Sequence, residues 1–181
     1  MDPDAANRVL TQALAAGPRC GSLILIGIDG PSGSGKTTLA SAIAAQAQGQ
    51  RVATVHVDDI CPGWHGLEQV PQRLATIVAQ LSAHGEATYP TWDWHANAPG
   101  TPAHIAGATL VIVEGTCALD PAWADHRSLS VWMNSPLAIR RERALRRDGD
   151  IYTPHWDAWA RDEAAYYTST TMTPDLVIEN P

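Results

Sequence analysis

Five aliphatic runs divide the chain and alternate with segments of helical periodicity. The runs are short and almost free of charge, as expected of parallel strands that are covered on both faces. They span residues 22–28, 52–57, 109–113, 129–133 and 176–178. Helices are predicted over 36–48, 67–84 and 136–147, and a shorter one, capped by Asp4, runs to about residue 16. Alternating strands and helices predict an α/β fold with a five-stranded parallel sheet and right-handed crossovers.

Residues 87–108 interrupt this alternation. The segment is rich in Pro, Trp, Thr and Ala and follows neither the strand period nor the helix period, so it is predicted to be a long irregular loop. Loops of this length are uncommon and often carry function, which makes it a candidate acceptor-site segment. Neither an internal repeat nor a long linker is visible, so we expect one domain over residues 1–181.

The composition limits the kinds of partner that the protein can have. The chain has 19 acidic and 12 basic residues and a formal net charge of −7, which argues against a general nucleic-acid or anionic-membrane binder. The N-terminus is acidic and has no apolar signal region, and no apolar run is long enough to span a bilayer. The cysteines Cys20, Cys61 and Cys117 lack metal-ligand spacing and are too few for a disulfide framework. A cytoplasmic location is expected.

Lysine usage is the most informative feature of the composition. Lys36 is the only lysine, whereas arginine is common. GTPases read guanine with an Asn-Lys-x-Asp element in addition to their phosphate loop, but Lys36 is followed by Thr37 and Thr38. The sequence therefore excludes that class of nucleotide-binding protein.

The single lysine lies in a segment that fits the phosphate-loop pattern G-x-x-x-x-G-K-S/T, between an aliphatic strand and a helix. Backbone amides and the helix N-terminus would point at phosphate oxygens, Lys36 would bridge the β- and γ-phosphates, and the Thr37 hydroxyl would bind Mg²⁺. Gly33 and Gly35 are the glycines expected to need positive φ. The predicted ATP-binding residues are Gly30, Ser32, Gly33, Ser34, Gly35, Lys36, Thr37 and Thr38.

Acidic side chains follow two of the predicted strands. Asp58 and Asp59 come directly after the run 52–57, and Glu114 comes directly after the run 109–113. A nucleotide-bound Mg²⁺ needs a further carboxylate and a hydroxyl acceptor needs a base, and both belong at the carboxyl ends of strands. A helix cap or an exposed turn is the less favoured alternative for the aspartate pair. Glu114 ends a wholly apolar strand, where a carboxylate is costly unless a cation or donor meets it.

Five arginines crowd the predicted helix 136–147, namely Arg140, Arg141, Arg143, Arg146 and Arg147. Ser135-Pro136 opens this helix and Asp148-Gly149 closes it. Arg140, Arg143 and Arg147 share one helix face. Like charges at this density favour an anion between them, so we expect a lid over residues 136–150 that neutralises the ATP phosphates. A solvated helix that uses arginine for surface charge is the alternative.

Together these motifs resemble the uridine kinase and phosphoribulokinase-like branch of P-loop kinases. The resemblance rests on Gly27 to Thr38, Asp58-Asp59, the segment Pro90-Thr91-Trp92-Asp93-Trp94, Val113-Glu114-Gly115 and the arginine-rich helix. It implies a P-loop NTPase fold with helices on both faces of the sheet and a short arginine-rich lid. It also implies that Asp58 meets the acceptor hydroxyl, that Glu114 helps to hold Mg²⁺, and that Trp92, Asp93 and Trp94 line the acceptor pocket.

Several residues depart from the pattern of uridine kinases. Trp92 stands where that family usually has a tyrosine, so a phenol donor is lost, and Asp59 is followed by Ile60-Cys61-Pro62-Gly63-Trp64 in place of aromatic residues. Trp64, Trp92 and Trp94 can stack on a base or sugar, or serve as core residues in a protein without phenylalanine. His95 is a candidate donor to the acceptor. The helix that carries Trp156, Trp159, Arg161 and Glu163 is expected to serve packing, although Arg161 could reach the site.

The sequence therefore predicts an ATP- and Mg²⁺-dependent kinase that phosphorylates a hydroxyl of a small molecule, with a nucleoside or a related metabolite as the favoured acceptor. Catalysis is assigned to Lys36, Asp58, Arg143 and Arg147, and Mg²⁺ binding to Thr37, Glu114 and Asp58. The choice between Asp58 and Asp59 as the base is open. A cytidylate-like nucleoside monophosphate kinase and a non-catalytic ATP-binding regulatory module are the alternatives. No nucleic-acid or membrane partner is expected, and a homo-oligomer is left open.

Overall fold

The computed structural model describes Asp2 and residues 4–181. The helices are α1 Ala5–Ala16, α2 Lys36–Gln46, α3 Val57–Ile60, α4 Val70–His84, α5 Leu137–Tyr152 and α6 Trp156–Ser169, with 3₁₀ turns at Leu67–Gln69 and Pro121–His126. The strands are β1 Ile24–Asp29, β2 Val52–His56, β3 Ala87–Tyr89, β4 Trp92–Asp93, β5 Ala98–Pro99, β6 Ala103–Ile105, β7 Leu110–Glu114, β8 Leu129–Asn134 and β9 Leu176–Glu179.

The predicted five-stranded parallel sheet is confirmed, and its strand order is β2-β7-β1-β8-β9. Strand β1 lies at the centre, where Ile24 pairs with Leu110 of β7 and Ile26 pairs with Leu129 of β8. Because all five strands are parallel, their carboxyl ends meet at one edge of the sheet. The phosphate loop and the segment after Glu114 leave the sheet at this edge.

Two hydrophobic layers cover the sheet, one on each face. On one face α1 and α2 pack against Ile26, Ile28 and Ile112, and on the other α4 and α6 pack on the side of Leu25 and Val111. Neighbouring positions of a strand point to opposite faces, so a strand that is buried on both faces must be apolar throughout. This explains the unbroken aliphatic runs. No helix in the described part of the chain is long and apolar enough to cross a membrane.

The prediction of an irregular loop over residues 87–108 is wrong. The segment folds back on itself, because β3 pairs with β6 and β4 pairs with β5, both antiparallel. Tyr, Trp, Thr and Ile favour strands, and the cross-strand pairs are too short to show a period-two pattern in the sequence. The result is a two-part hairpin arm beside the carboxyl edge of the sheet.

Three helix ends differ from the predicted ones. The Asp4 side chain makes no capping hydrogen bond, and its backbone N–H donates to Oδ1 of Asp2. Pro136, not Ser135, precedes the first turn of α5, and the Ser135 hydroxyl accepts from Arg143 instead. Gly149 leaves the helical region with φ 52° and ψ −130°, but α5 resumes and ends only at Tyr152. The extra turn brings Tyr152 towards the functional site.

Candidate active site

The phosphate loop connects β1 to α2 at the carboxyl edge of the sheet. Gly33 and Gly35 have φ of 78° and 100°, as the sequence predicted, and a Cβ on Gly33 would overlap the carbonyl of Arg140. The loop therefore requires glycine at a point where α5 crosses it closely. Within the loop, Ser34 is fully buried, and its backbone carbonyl accepts a hydrogen bond from the Asn180 side chain.

Lys36 extends back along this loop. Its Nζ donates to the carbonyl of Gly30 at 2.6 Å and to the carbonyl of Pro31 at 3.2 Å, and the residue is only 9% exposed. Both bonds go to backbone carbonyls, and no carboxylate in Asp2 or residues 4–181 forms a salt bridge with the ammonium. Its positive charge is thus available to an anion in the loop, next to the N-terminus of α2.

A hydroxyl and a carboxylate meet beside the loop. Thr37 Oγ1 donates to Glu114, at 3.1 Å from Oε1 and 3.2 Å from Oε2, and Glu114 is 4% exposed at the end of β7. His56 Nδ1 lies 2.6 Å from Glu114 Oε1, and this hydrogen bond raises the pKa of His56. Sequence reasoning missed His56.

This oxygen pair fits Mg²⁺, which favours hard oxygen ligands and is commonly held by one or two protein groups together with substrate phosphates. Among Asp2 and residues 4–181, no cluster of three or more His, Cys, Asp and Glu forms a metal site. The donor set of Thr37 and Glu114 therefore suits a nucleotide-bound Mg²⁺ rather than a metal caged by protein side chains alone.

The structure distinguishes Asp58 from Asp59. Both lie in the single turn α3 that follows β2, but only Asp58 lines the cavities of the site, whereas Asp59 lines neither. Desolvation by the surrounding protein atoms and the negative charge of the nearby Glu114 carboxylate raise the pKa of Asp58. The positive charges of Lys36 and Arg147 oppose this shift. Trp94 Nε1 donates to the backbone carbonyl of Asp58 at 2.9 Å, which fixes the turn.

A cavity of about 410 Å³ opens over the phosphate loop, and we call it the phosphate cavity after that loop. Its walls carry the loop residues Ser32, Gly33, Gly35, Lys36, Thr37 and Thr38, the carboxylates Asp58 and Glu114, and Arg143, Ala144, Arg146 and Arg147 of α5. Most of the predicted ATP-binding residues thus lie together. Of the predicted set, Gly30 and Ser34 lie outside the cavity wall.

The arginines of α5 divide into two groups. Arg143 and Arg147 line the phosphate cavity as predicted, and Arg147 also pairs with Asp148 through two bonds of 2.8 and 2.7 Å. Arg140 does not line the cavity. Its guanidinium donates to the carbonyls of Ser32 and Ser135, because Arg140 lies where α5 crosses the phosphate loop. Arg140 braces the loop from behind, so the expectation that it faces the phosphates is not met.

A second cavity, of about 380 Å³, adjoins the first, and we call it the acceptor cavity. Its walls are mainly aromatic and carry Trp64, Trp94, Tyr152 and Trp159, together with Ile151, Ser32, Asp58, His95, Arg147 and Asp148. Trp64 is the centre of this aromatic wall, with ring centroids 4.7 Å from Trp94, 5.3 Å from Tyr152 and 4.2 Å from His155. Such a wall suits a ligand with a flat face.

Trp92 and Asp93 line neither cavity, contrary to the placement that the resemblance implied. Asp93 is exposed at the tip of the hairpin arm, where its carboxylate accepts from the backbone N–H groups of His95 and Ala96. These hydrogen bonds lower the pKa of Asp93. Asp93 thus stabilises the turn that presents His95 to the acceptor cavity.

The helix that carries Trp156 and Trp159, for which packing was the favoured prediction, also lines the site. Trp159 lines the acceptor cavity, and the buried Glu163 carboxylate accepts from the backbone N–H and hydroxyl of Ser32. Sequence reasoning missed both residues. The available signal was the spacing of four positions between Trp159 and Glu163, which places an acidic side chain and a tryptophan on the same face of α6.

The structure resembles solved kinases over nearly its whole length. It matches a protein assigned as a possible uridine kinase from Bacillus stearothermophilus, with TM-score 0.62 and 22% identity over 97% of each chain. It also matches a protein provisionally assigned as a fructose transport system kinase from Silicibacter sp. TM1040, with TM-score 0.63 and 22% identity over 96% of this chain and 98% of that one. D-glycerate 3-kinase from Cryptococcus neoformans var. grubii matches with TM-score 0.57 and 13% identity, over 97% of this chain and 94% of that one.

No protein-family model matches the chain, and no curated protein matches it in sequence. The structural matches therefore show the fold alone. The chain shares its fold with these solved structures, and that fold is a five-stranded parallel sheet flanked by helices, as the sequence predicted.

Proposed function

We propose that this protein is an ATP- and Mg²⁺-dependent kinase that transfers the γ-phosphoryl group of ATP to a hydroxyl of a small molecule. The observation that carries this proposal is that the phosphate cavity and the acceptor cavity share Ser32, Asp58 and Arg147. A hydroxyl in one cavity and a γ-phosphate in the other would meet between a carboxylate and a guanidinium. Phosphoryl transfer depends mainly on such positioning and on charge stabilisation.

Asp58 is the base in this proposal. Its carboxylate accepts the proton of the acceptor hydroxyl as the new O–P bond forms and the bond from the γ-phosphorus to ADP breaks. A raised pKa makes Asp58 a better proton acceptor near neutral pH than an ordinary aspartate. The hydrogen bond from Trp94 to the Asp58 backbone carbonyl fixes the turn that carries this side chain at the junction of the two cavities.

Three cations of the phosphate cavity stabilise the charge of the transferring group. Lys36 lies within the loop, and Arg143 and Arg147 approach from α5 on the opposite wall. Thr37 and Glu114 would hold the Mg²⁺ that accompanies ATP, and the ion would supply further positive charge at the phosphates. The arginines are pre-organised by neighbouring groups, since Arg143 donates to the carbonyl of Asn180 and Arg147 pairs with Asp148.

The acceptor cavity favours a nucleoside or a related ring compound over a phosphorylated one. Its charged side chains are the carboxylates of Asp58 and Asp148 and the guanidinium of Arg147, which already pairs with Asp148. A monophosphate acceptor would need a cation of its own, but the guanidinium that lines this cavity, Arg147, is the one that the proposal assigns to the transferring phosphoryl group. The aromatic wall around Trp64 offers stacking to a flat, uncharged ligand instead.

A phosphoryl-transfer screen tests the proposal. The protein is incubated with γ-labelled ATP, Mg²⁺ and panels of nucleosides, nucleoside monophosphates and sugars, with Lys36→Ala as the control that removes the charge of the phosphate loop. We expect label on a nucleoside or sugar-like hydroxyl and none with the control. Transfer to monophosphates only would establish the cytidylate-like alternative. ATP binding without transfer to any acceptor would favour the regulatory module.

A further inference from the structure

The Glu163 carboxylate occupies the space between the phosphate loop and the wall of the acceptor cavity. The residue is 2% exposed on α6. Its Oε1 accepts from the Ser32 hydroxyl at 2.6 Å and from the Ser32 backbone N–H at 2.9 Å. Ser32 lines both cavities, so Glu163 directly holds the loop residue at which they meet.

The same carboxylate holds two further elements. Trp159 Nε1 lies 3.0 Å from Glu163 Oε1 and 3.0 Å from Ser32 Oγ, and the Trp159 ring lines the acceptor cavity. Thr116 Oγ1 donates to Oε1 at 2.9 Å, two residues after Glu114 in the chain. One buried group therefore joins the phosphate loop, the acceptor wall and the segment that carries Glu114.

Hydrogen bonds, and not an ion pair, support the Glu163 charge. Within the described ranges 2 and 4–181, no lysine, arginine or histidine forms a salt bridge with Glu163. Donors from Ser32, Thr116 and Trp159 take the place of a counter-ion. Since a buried carboxylate that loses a donor incurs a large desolvation penalty, the shared hydrogen bonds link the position of the loop to that of the acceptor wall.

We propose that Glu163 is a positioning residue that couples nucleotide binding at the phosphate loop to the acceptor wall at Trp159. The proposal rests on the proposed function, because it takes ATP as the ligand of the loop. Nucleotide that repositions Ser32 changes the hydrogen bonding of Trp159 through the shared carboxylate. The acceptor wall thereby responds to the nucleotide before any acceptor binds.

The test uses binding of Mg²⁺ and the non-hydrolysable analogue AMP-PNP to the full chain, so it needs no acceptor. Calorimetry gives the dissociation constant, and tryptophan fluorescence gives the response of the wall. The Trp159 contribution is the difference between wild type and Trp159→Phe, which keeps a ring and removes the N–H donor. We expect Glu163→Gln to bind AMP-PNP about tenfold more weakly and to lose the Trp159 signal even at saturating nucleotide.

Asp162→Asn is the matched control, since it removes the same charge from the neighbouring, exposed position of α6. It is expected to bind AMP-PNP within twofold of wild type and to keep the signal. Thr116→Val, which removes one donor to Glu163 with almost no change in volume, should shift both readouts in the direction of Glu163→Gln by a smaller factor. This second variant also decides the matter if Glu163→Gln does not fold.

The outcomes separate this inference from the proposed function. Failure of the wild-type protein to bind AMP-PNP refutes the proposed function and, with it, the coupling. A wild-type protein that binds AMP-PNP while Trp159 gives no signal refutes the coupling alone. The same holds if the signal and the affinity persist in Glu163→Gln, or in Thr116→Val when Glu163→Gln is unfolded.

Discussion

Replacement of Asp58 by asparagine tests the base directly. Asparagine keeps the shape of the side chain and one oxygen, but it cannot accept a proton from the acceptor hydroxyl. The backbone of the turn should be unaffected, because Trp94 Nε1 donates to the carbonyl of Asp58 and not to its side chain. The substitution therefore removes the proton acceptor and leaves both cavities in place.

The expected loss lies in kcat. A positioned general base contributes about 10²- to 10⁴-fold, which corresponds to about 2.7–5.5 kcal/mol of activation free energy. ATP affinity should be retained or should increase, since a carboxylate is removed from the cavity that receives the phosphates. Desolvation by the surrounding protein atoms and the Glu114 charge raise the pKa of Asp58, although its side chain remains exposed to the cavities, so its ionisation in the folded protein is less favourable than in an ordinary aspartate. Asp58→Asn should consequently leave the melting temperature at neutral pH equal to that of wild type or higher.

The assay is steady-state transfer from ATP, with ATP affinity measured separately by calorimetry. In wild type, kcat/KM should fall as the pH falls through a pKa above the ordinary aspartate value of 3.8, and Asp58→Asn should lose this dependence. Asp59→Asn removes the same charge one residue away, where the side chain lines neither cavity, and should lower kcat by less than about tenfold. If Asp58→Asn stays within threefold of wild type, Asp58 is not the base.

Three further substitutions test the remaining parts of the site. Arg147→Ala should lower kcat by about 10²-fold or more while ATP affinity changes by less than about tenfold, because the arginine stabilises charge that develops during transfer; equal losses in both quantities would contradict this. Trp64→Ala should raise the KM for the acceptor by about tenfold and leave the KM for ATP unchanged, because stacking pairs contribute about 0.5–1.5 kcal/mol. An equal rise in both KM values would show that the Trp64 ring does not bind the acceptor specifically. Tyr167→Phe removes the donor to Asp29 at 2.8 Å and should lower the free energy of unfolding by about 1.5–3 kcal/mol at pH 7.5. Burial raises the pKa of Asp29 to about 6, so the loss of stability should be smaller at pH 5, where the carboxyl is mostly protonated. Urea unfolding at both pH values measures this difference, and an equal loss at pH 5 and pH 7.5 would contradict a role for the Asp29 charge.

The aromatic composition has a structural explanation. Trp64, Trp94 and Trp159 line the acceptor cavity, whereas Trp123 is buried in the core with 1% exposure. The sequence left open whether tryptophan serves stacking or core packing in a chain without phenylalanine. Tryptophan is found both on a cavity wall and in the core, and position relative to the carboxyl edge of the sheet separates the two groups.

The sequence alone was sufficient to predict the sheet, the phosphate loop and the place of Glu114. Each of these depends on residues that are close together in the chain, such as an apolar run followed by a glycine-rich turn and a helix. A carboxylate at the end of a wholly buried strand can also be placed from sequence, because the carboxyl ends of parallel strands share one edge. The strand ends differ from the predicted ones by only one or two residues.

Tertiary structure alone decided which neighbours of these motifs take part in the site. Asp58 and Asp59 are equivalent in sequence, and the orientation of a single helical turn separates them. Likewise, the crossing of α5 over the phosphate loop sends Arg140 to a backbone carbonyl and Arg147 to the cavity. The link from Ser32 to Glu163 spans 131 positions, and no local pattern carries information about it. Side-chain orientation and contacts between distant segments depend on how the elements pack, which the hydrophobic pattern of a single chain does not specify.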